Sequence, residues 1–330
     1  MLSNNSYFEV MKETSAEADK LIRTRLDGIV DVTRTLPESR LGKPRLRDLL
    51  VRLGYELSGG KNWKKIIPIC ASYELLNCSS YVINWIFDEK GGHREKNEIN
   101  DLIIGGFQLR EVAELLLREN SLEDVVGSVS RINEAIYVGQ NLDLNVLRVR
   151  YLTKFRVFGN FVHVYRQRCH GLSGEFYGQC LLSGSKISGK EMTALYGVGE
   201  ILGSALQASN DLGDFALPNK AIAVSEKPYK DQLSDLKKGK LTLPIYFLIT
   251  KSGMEYEDLT TKTPEEIVGL LFSTGSFQEC YDYLQNERKK AKVRLHKSFE
   301  KSYARDMLSS ALIIISYNKF ITNLKSAQKK

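Results

Sequence analysis

Proline, cysteine and long apolar runs are all scarce in this chain of 330 residues, and each scarcity excludes a class of protein. Only seven prolines occur, which leaves room for long helices. The five cysteines form no CxxC pair, so we expect ordinary buried thiols in a reducing cytoplasm. No uninterrupted apolar run reaches the ~20 residues that a bilayer requires, and we therefore expect no transmembrane segment.

The charge balance is basic, with a net charge of +7 and a pI of about 9.0. Such a balance favours anionic partners, among them phosphates. The basic residues are spread along the chain and form no aromatic-basic recognition motif, so we do not expect nucleic acid as a partner. The first ten residues lack a basic patch followed by an apolar core, which argues against a secretory signal.

Apolar residues recur with a helical period along most of the chain, and no alternating strand pattern is present. The sequence therefore predicts an all-α protein. Without a linker or an internal repeat, the simplest architecture is a single domain over 1–330, with flexible ends at about 1–15 and 325–330. The prolines and charges of 215–235 predict a loop. The predicted helices are 16–30, 45–57, 66–88, 101–118, 121–140, 147–170, 173–183, 188–213, 241–250, 264–272, 276–299 and 303–324.

Two short acidic clusters lie at the ends of apolar helical stretches. The first is NWIFD at 84–88 and the second is NDLGD at 210–214, with Lys227 and Lys240 following the second. Carboxylates and carboxamides spaced four apart share a helix face, and two such faces can hold Mg²⁺ through oxygen ligands. Mg²⁺ and lysines together are suited to a diphosphate that departs as a leaving group.

Several motifs, in order, resemble the trans-isoprenyl diphosphate synthase (polyprenyl synthetase) family. LGKPRLRDLL at 41–50 resembles the family's GGKRLRPLL, and ELLNCSSYVINWIFD at 74–88 resembles ELLHTASLIHDDIMD. GQNLDL at 139–144 is similar to GQxLDL, LQASNDLGD at 206–214 to FQIxDDxLD, and 235–244 to DLxEGKxTLP. The chain is therefore identified as a divergent member of this family, over about 40–250.

The resemblance implies the isoprenoid synthase fold, an antiparallel helical bundle around a central prenyl-diphosphate cavity. It implies a homodimer, a C10–C20 prenyl diphosphate substrate and Mg²⁺ as the cofactor. In the family, DDxxD faces hold Mg²⁺ around an allylic diphosphate, and isopentenyl diphosphate attacks the carbocation that its ionisation leaves.

The second acidic motif is mostly retained. Asp211 and Asp214 stand at aspartate positions and are predicted as catalytic metal ligands. Asn210 replaces the leading aspartate, and its amide oxygen remains a metal-ligand candidate without a charge. The diphosphate-binding candidates nearby are Gln207, Lys227 and Lys240. The alternative interpretation of this cluster is a polar, solvated helix end.

The first acidic motif keeps only its last aspartate, Asp88, which is predicted as a catalytic metal ligand. Asn84 replaces the first aspartate and remains a candidate ligand, whereas Trp85 replaces the second and cannot bind a metal. The alternative for Asp88 is that it ends a buried helix through a cap or a salt bridge.

The predicted isopentenyl diphosphate site is more damaged. Pro44 stands at the family's lysine, although Lys43 is adjacent, and Asn77 stands at its histidine. Leu172 and Ser173 replace a Lys-Thr pair elsewhere, so another diphosphate cation is lost. The candidate diphosphate-binding cations that remain are Arg45, Arg47 and Arg94.

Three functions are compatible with this pattern. The favoured hypothesis is an enzyme that consumes an allylic prenyl diphosphate with Mg²⁺ but without isopentenyl diphosphate, as a terpene synthase or as a prenyltransferase with another acceptor. The second is a non-catalytic, regulatory subunit that forms a heteromer with an active synthase. The third is a chain-elongating synthase in which unusual ligands such as Lys43 and Asn77 replace the lost groups.

Overall fold

The computed structural model describes residues 6–87, 95–215 and 233–315, and the secondary structure in these ranges is helical without strands. The all-α prediction is thus confirmed. Short 3₁₀ segments lie at Trp63–Ile66, Val149–Phe155 and Leu312–Ile315, and π-helical turns at Leu142–Val146 and His170–Gly174. The α-helices are α1 Ser6–Arg23, α2 Asp31–Arg40, α3 Leu46–Leu57, α4 Ile67–Phe87, α5 Lys96–Glu119, α6 Glu123–Asn141, α7 Phe158–Cys169, α8 Glu175–Ile187, α9 Thr193–Gly213, α10 Ser234–Lys237, α11 Leu243–Ser252, α12 Tyr256–Thr260, α13 Pro264–Ser273, α14 Ser276–Ser298 and α15 Tyr303–Ala311.

Two predicted helices are broken in the structure. The helix predicted at 16–30 ends at Arg23, and Gly28 adopts a φ of 82°, a left-handed conformation that interrupts a helix. The helix predicted at 147–170 begins only at Phe158, because the backbone before it pairs with a distant segment. There the Val149 amide donates to the Gly239 carbonyl at 2.9 Å. The predicted loop at 215–235 lies largely outside the described residues.

The described residues cluster into two compact units, while the single domain over 1–330 stays a prediction. Unit 1 takes residues within Met1–Asn133, Tyr177–Gly199 and Arg294–Ala311. Unit 2 takes residues within Glu134–Phe176, Glu200–Val293 and Leu312–Lys330. The retained second acidic motif belongs to unit 2, and the predicted isopentenyl diphosphate arginines belong to unit 1.

The core of unit 1 is built around α4, which packs against α1, α3 and α5. Small polar residues tie α4 to α5: the Ser72 hydroxyl donates to the Ala113 carbonyl, and the Ser79 hydroxyl to the Gly106 carbonyl. The stretch Trp63–Phe87 is long and apolar enough to cross a membrane by length and composition, but 72% of its most apolar window is buried inside the protein. Such burial is typical of a core helix.

The core of unit 2 contains an aromatic stack that fixes α7. Phe161 on α7 stacks on Tyr246 of α11 with ring centroids 4.1 Å apart, and Tyr165 stacks on Phe161 at 5.5 Å. Both α7 rings are fully buried. This packing holds the inward face of α7, which carries Tyr165 and Arg168, in one orientation.

Helices α3 and α8 approach each other closely in unit 1, and two glycines make this possible. A Cβ at Gly54 would overlap the carbonyl oxygen of Leu181, and one at Gly184 would overlap the carbonyl oxygen of Val51. Since backbone atoms cannot move aside as a flexible side chain does, a methyl group at either position would force the helices apart.

We expect Gly54→Ala to lower the free energy of unfolding by about 1–3 kcal/mol or more, because of this overlap. Gly127→Ala on α6 is the matched control, since a Cβ there meets nothing within 4 Å. The control should be neutral or stabilising by up to about 1 kcal/mol, as alanine favours a helix. Urea unfolding measures both, and equal stabilities for the two variants would contradict the packing of α3 on α8.

Candidate active site

The second acidic motif lies where α9 ends. Asn210 is exposed, whereas Asp211 and Asp214 are buried, with 2% and 3% of their surface accessible. Asp214 follows the helix, and its carboxylate accepts a hydrogen bond from the Asp235 amide at 2.9 Å. That amide lies in the first turn of α10, so Asp214 holds the segment that leads to Lys240.

Asp211 is surrounded by donors from its own unit. Its Oδ2 accepts from Arg168 Nη1 at 2.7 Å and from the Tyr165 hydroxyl at 2.7 Å. Its Oδ1 accepts from Arg168 Nη2 at 3.3 Å and from Gln207 Nε2 at 3.1 Å. Burial, together with Asp211, raises the pKa of Tyr165, so this hydroxyl keeps its proton. Two donors on each oxygen satisfy the usual accepting capacity of a carboxylate.

Asp143, from the GQNLDL motif, joins the same network. It is buried, and it accepts from Arg168 Nε at 2.5 Å and pairs with Lys240 Nζ at 2.7 Å. Lys240 also lies 3.8 Å from Asp235. Burial by itself would raise the pKa of Asp143, but Arg168 and Lys240 lower it to about 2. The predicted diphosphate lysine is therefore held by carboxylates of its own unit.

Two cations hold carboxylates of this network. Arg168 pairs with Asp143 and Asp211, and Lys240 pairs with Asp143 and Asp235. Burial lowers the pKa of Arg168, but Asp143 and Asp211 raise it by more, so Arg168 stays charged. Asn210, next to Asp211 in the sequence, is exposed at the end of α9.

A divalent cation at Asp211 does not fit this arrangement, because the carboxylate is already saturated by Arg168, Tyr165 and Gln207. Within ranges 6–87, 95–215 and 233–315, no group of three or more His, Cys, Asp or Glu side chains is arranged to hold a metal ion. The role of Asp211 as a metal ligand thus stays a prediction. The hydrogen bonds that its carboxylate accepts argue against that role. We therefore assign no catalytic step to a cation at Asp211.

Two of the predicted isopentenyl diphosphate arginines, Arg45 and Arg47, form a second network, in unit 1. Arg45 is 3% exposed, and it donates to Asp48 at 2.7 Å, to Asp19, and to the Ser15 carbonyl at 3.0 Å. Burial raises the pKa of Asp48 to about 6, although Arg45 acts in the opposite direction. Arg45 is thus enclosed by its own partners and does not face solvent.

Arg47 belongs to the same cluster. It pairs with the buried Glu74 at 3.4 Å and lies 5.9 Å above the Tyr177 ring. Glu74 also pairs with Arg40. Both predicted arginines therefore serve buried carboxylates of unit 1 in this structure.

The first acidic motif is described only in part. Asn84 and Trp85 lie half-buried in the last turns of α4. The other predicted residues, Asp88, Arg94 and Lys227, lie outside the described residues, so their roles stay predictions.

Sequence reasoning missed Arg168, Tyr165 and the partnership of Asp143 with both cations. Asp143 was visible within GQNLDL but had no assigned role. Arg168 precedes Leu172 by four residues, one helical turn, and Leu172 stands where the resembled family has a lysine. The available signal was the absence of a cation at Leu172 together with the presence of a cation, Arg168, one helical turn earlier.

The sequence profile described as Polyprenyl synthetase matches residues 38–268, which is more than half of the chain. The chain belongs to the polyprenyl synthetase family. A comparison with curated protein sequences gave no match. The family resemblance deduced from the motifs is thus confirmed.

Solved structures of this family share the fold. A polyprenyl synthase from Caulobacter crescentus CB15, complexed with calcium and isoprenyl diphosphate, has a TM-score of 0.80 at 20% identity, covering 96% of this chain and 98% of that one. A geranylgeranyl pyrophosphate synthetase from Pyrococcus horikoshii Ot3 has 0.76 at 21%, with 96% and 99% covered. A decaprenyl diphosphate synthase from Rhodobacter capsulatus has 0.75 at 17%, with 95% and 98% covered. At these identities the likeness establishes the fold.

Asp143→Asn is expected to lower the free energy of unfolding at neutral pH by about 3–5 kcal/mol, because it breaks buried ion pairs. The pH dependence should change as well. Since the folded-state pKa of Asp143 is lowered to about 2, its contribution is complete above the unfolded value of about 4 and is lost as the pH falls through about 2.

Urea unfolding between about pH 7 and about pH 3 measures both effects. Below about pH 4 the stability of the variant should fall less steeply than that of the wild type. Asp31→Asn is the control, because the Asp31 side chain is 91% exposed and should change neither quantity. Identical pH slopes for Asp143→Asn and the wild type would contradict the ion network.

Proposed function

We propose that this member of the polyprenyl synthetase family is an isoprenoid enzyme that consumes an allylic prenyl diphosphate and does not use isopentenyl diphosphate. The observation that carries the proposal is the enclosure of Arg45 and Arg47 by the carboxylates of Asp19, Asp48 and Glu74. The product class would be that of a terpene synthase or of a prenyltransferase with another acceptor.

The energetics of Arg45 support the loss of isopentenyl diphosphate binding. If Arg45 turned toward a diphosphate, Asp19 and Asp48 would be left as buried carboxylates without it. Breaking a buried pair in this way costs about 3–5 kcal/mol, which weakens binding by roughly 10²–10³-fold. A diphosphate would have to offset that cost before it gained anything from the guanidinium.

Retention of an allylic diphosphate site is supported by unit 2. The oxygen ligands of the exposed Asn210 and of Asp214 favour a cation at the end of α9, where we propose both residues as ligands of Mg²⁺. A bound Mg²⁺ would neutralise the diphosphate charge. The relative from Caulobacter crescentus was solved with calcium and isoprenyl diphosphate, in keeping with a C10–C20 prenyl diphosphate as substrate. A cytoplasmic homodimer belongs to the same proposal.

One observation favours a second function, that of a non-catalytic subunit paired with an active synthase. The saturation of Asp211 by Arg168, Tyr165 and Gln207 removes a charged ligand from the second motif. Loss of such a ligand can remove several kcal/mol of transition-state stabilisation. In that case the chain would bind a prenyl diphosphate or a partner without releasing diphosphate.

The purified protein should be incubated with Mg²⁺ and C10, C15 or C20 allylic diphosphates, with and without labelled isopentenyl diphosphate. We expect release of diphosphate together with a hydrocarbon, an alcohol or a prenylated acceptor, and no label in the product. The proposal is wrong if label enters a lengthened chain. If no reaction releases diphosphate or forms a product, the non-catalytic subunit is favoured. A search for a bound partner synthase then tests that function.

Lys43 offers a matched variant for this experiment. It is exposed, and it is the cation next to Pro44 that an elongating enzyme would have to use. Lys43→Ala should leave the rate of diphosphate release within about twofold of the wild type if isopentenyl diphosphate is not a substrate. A loss of about tenfold or more, confined to reactions that contain isopentenyl diphosphate, would establish elongation instead.

A further inference from the structure

Arg168 contacts carboxylates from two separate sequence motifs of unit 2 through its guanidinium. Its Nε donates to Asp143 and its Nη atoms donate to Asp211, and only 2% of its surface is accessible. The guanidinium carbon also lies 5.7 Å from the Tyr165 ring, which donates to the same Asp211. The cation is thus part of a built, buried site.

The position of Arg168 on α7 is set by packing that is independent of the carboxylates. Phe161 stacks on Tyr246 of α11, and Tyr165 of the same helix stacks on Phe161. Since these rings fix the helix, the guanidinium of Arg168 is held beside Asp143 and Asp211 as a preorganised donor. Its fork of N–H groups matches a carboxylate better than an ammonium would.

Arg168 lies one helical turn before Leu172, which stands where the resembled family has a lysine. Leu172 is half-buried in the π-helical turn that follows α7, whereas Arg168 is buried near the end of α7 and contacts Asp143 and Asp211. A cation is thus absent from the half-buried position and present at the buried one.

We propose that Arg168 is a positioning residue that serves as a permanent cation for Asp211 and keeps this aspartate from binding a divalent metal ion. Arg168 and Lys240 together balance the charges of Asp143 and Asp211, and a divalent cation between the two carboxylates would replace the guanidinium in its absence. The second acidic motif therefore recruits cations through its other two residues, the exposed Asn210 and the buried Asp214. This inference is independent of the proposed function, because it concerns cation binding without a prenyl substrate.

Two consequences distinguish this role from simple core stabilisation. Removal of the guanidinium leaves two buried carboxylates that face a common space, and oxygen ligands in that arrangement attract hard cations. Removal of the Asp211 charge in the presence of Arg168 should not alter divalent cation binding. Removal of a purely structural arginine would leave the metal affinity unchanged.

The first test uses the full chain with Mn²⁺ as the probe, and free Mn²⁺ is measured by electron paramagnetic resonance. Asp211→Asn keeps the shape and an acceptor oxygen but removes the charge. We expect its Mn²⁺ affinity to lie within about twofold of the wild type. A loss of about tenfold or more would show that Asp211 is a metal ligand and would overturn the proposal.

The second test uses Arg168→Gln, which should bind Mn²⁺ about tenfold more tightly than the wild type or gain a site. Adding Asp211→Asn to this variant should abolish the gain, and Arg168→Lys should bind as the wild type does. Arg166→Gln is the matched control, since Arg166 lies on the same helix, is half exposed and pairs with Glu287 instead.

The outcomes separate cleanly. A folded Arg168→Gln variant, by circular dichroism, whose Mn²⁺ affinity equals that of the wild type would contradict the proposal. An equal gain in Arg166→Gln would also contradict it, because any lost positive charge would then suffice. If Arg168→Gln does not fold, the comparison of Asp211→Asn with the wild type decides the matter alone.

Discussion

A buried charge must be paired, and this constraint shapes the ion network of each unit. In unit 2 the guanidinium of Arg168 holds Asp143 and Asp211, and in unit 1 the guanidinium of Arg45 holds Asp19 and Asp48. Each arginine is almost fully enclosed. If either arginine left its network, buried carboxylates would lose that cation, so both networks resist rearrangement around a ligand.

Function follows from which charges remain accessible. A prenyl diphosphate enzyme depends on cations, from metal ions or side chains, that can neutralise a departing diphosphate. Here Lys240, Arg45 and Arg47 serve their own carboxylates. This distribution of charges supports our proposal that the chain does not condense isopentenyl diphosphate.

Periodicity was sufficient to predict the all-α class, and the order of short motifs was sufficient to predict the family. Periodicity did not predict the start of α7, because long-range contacts determine the backbone there. The Val149 amide donates to the Gly239 carbonyl instead of continuing a helix. The site was predictable as a set of motif positions, among them Asn210 and Asp211. Its pairing was not, because Arg168 lies in no shared motif and is brought to Asp211 only by the packing of α7.

The most direct measurement is a crystal structure of the protein with Mg²⁺, an unreactive thiolo analogue of an allylic diphosphate, and isopentenyl diphosphate. We predict that Arg168 remains paired with Asp211 and that Arg45 remains paired with Asp48. Any metal ion should bind beside Asn210, and no isopentenyl diphosphate should bind at Arg45 or Arg47. A structure in which Arg45 or Arg47 binds a diphosphate, or in which Asp211 leaves Arg168 to bind a metal ion, would contradict it.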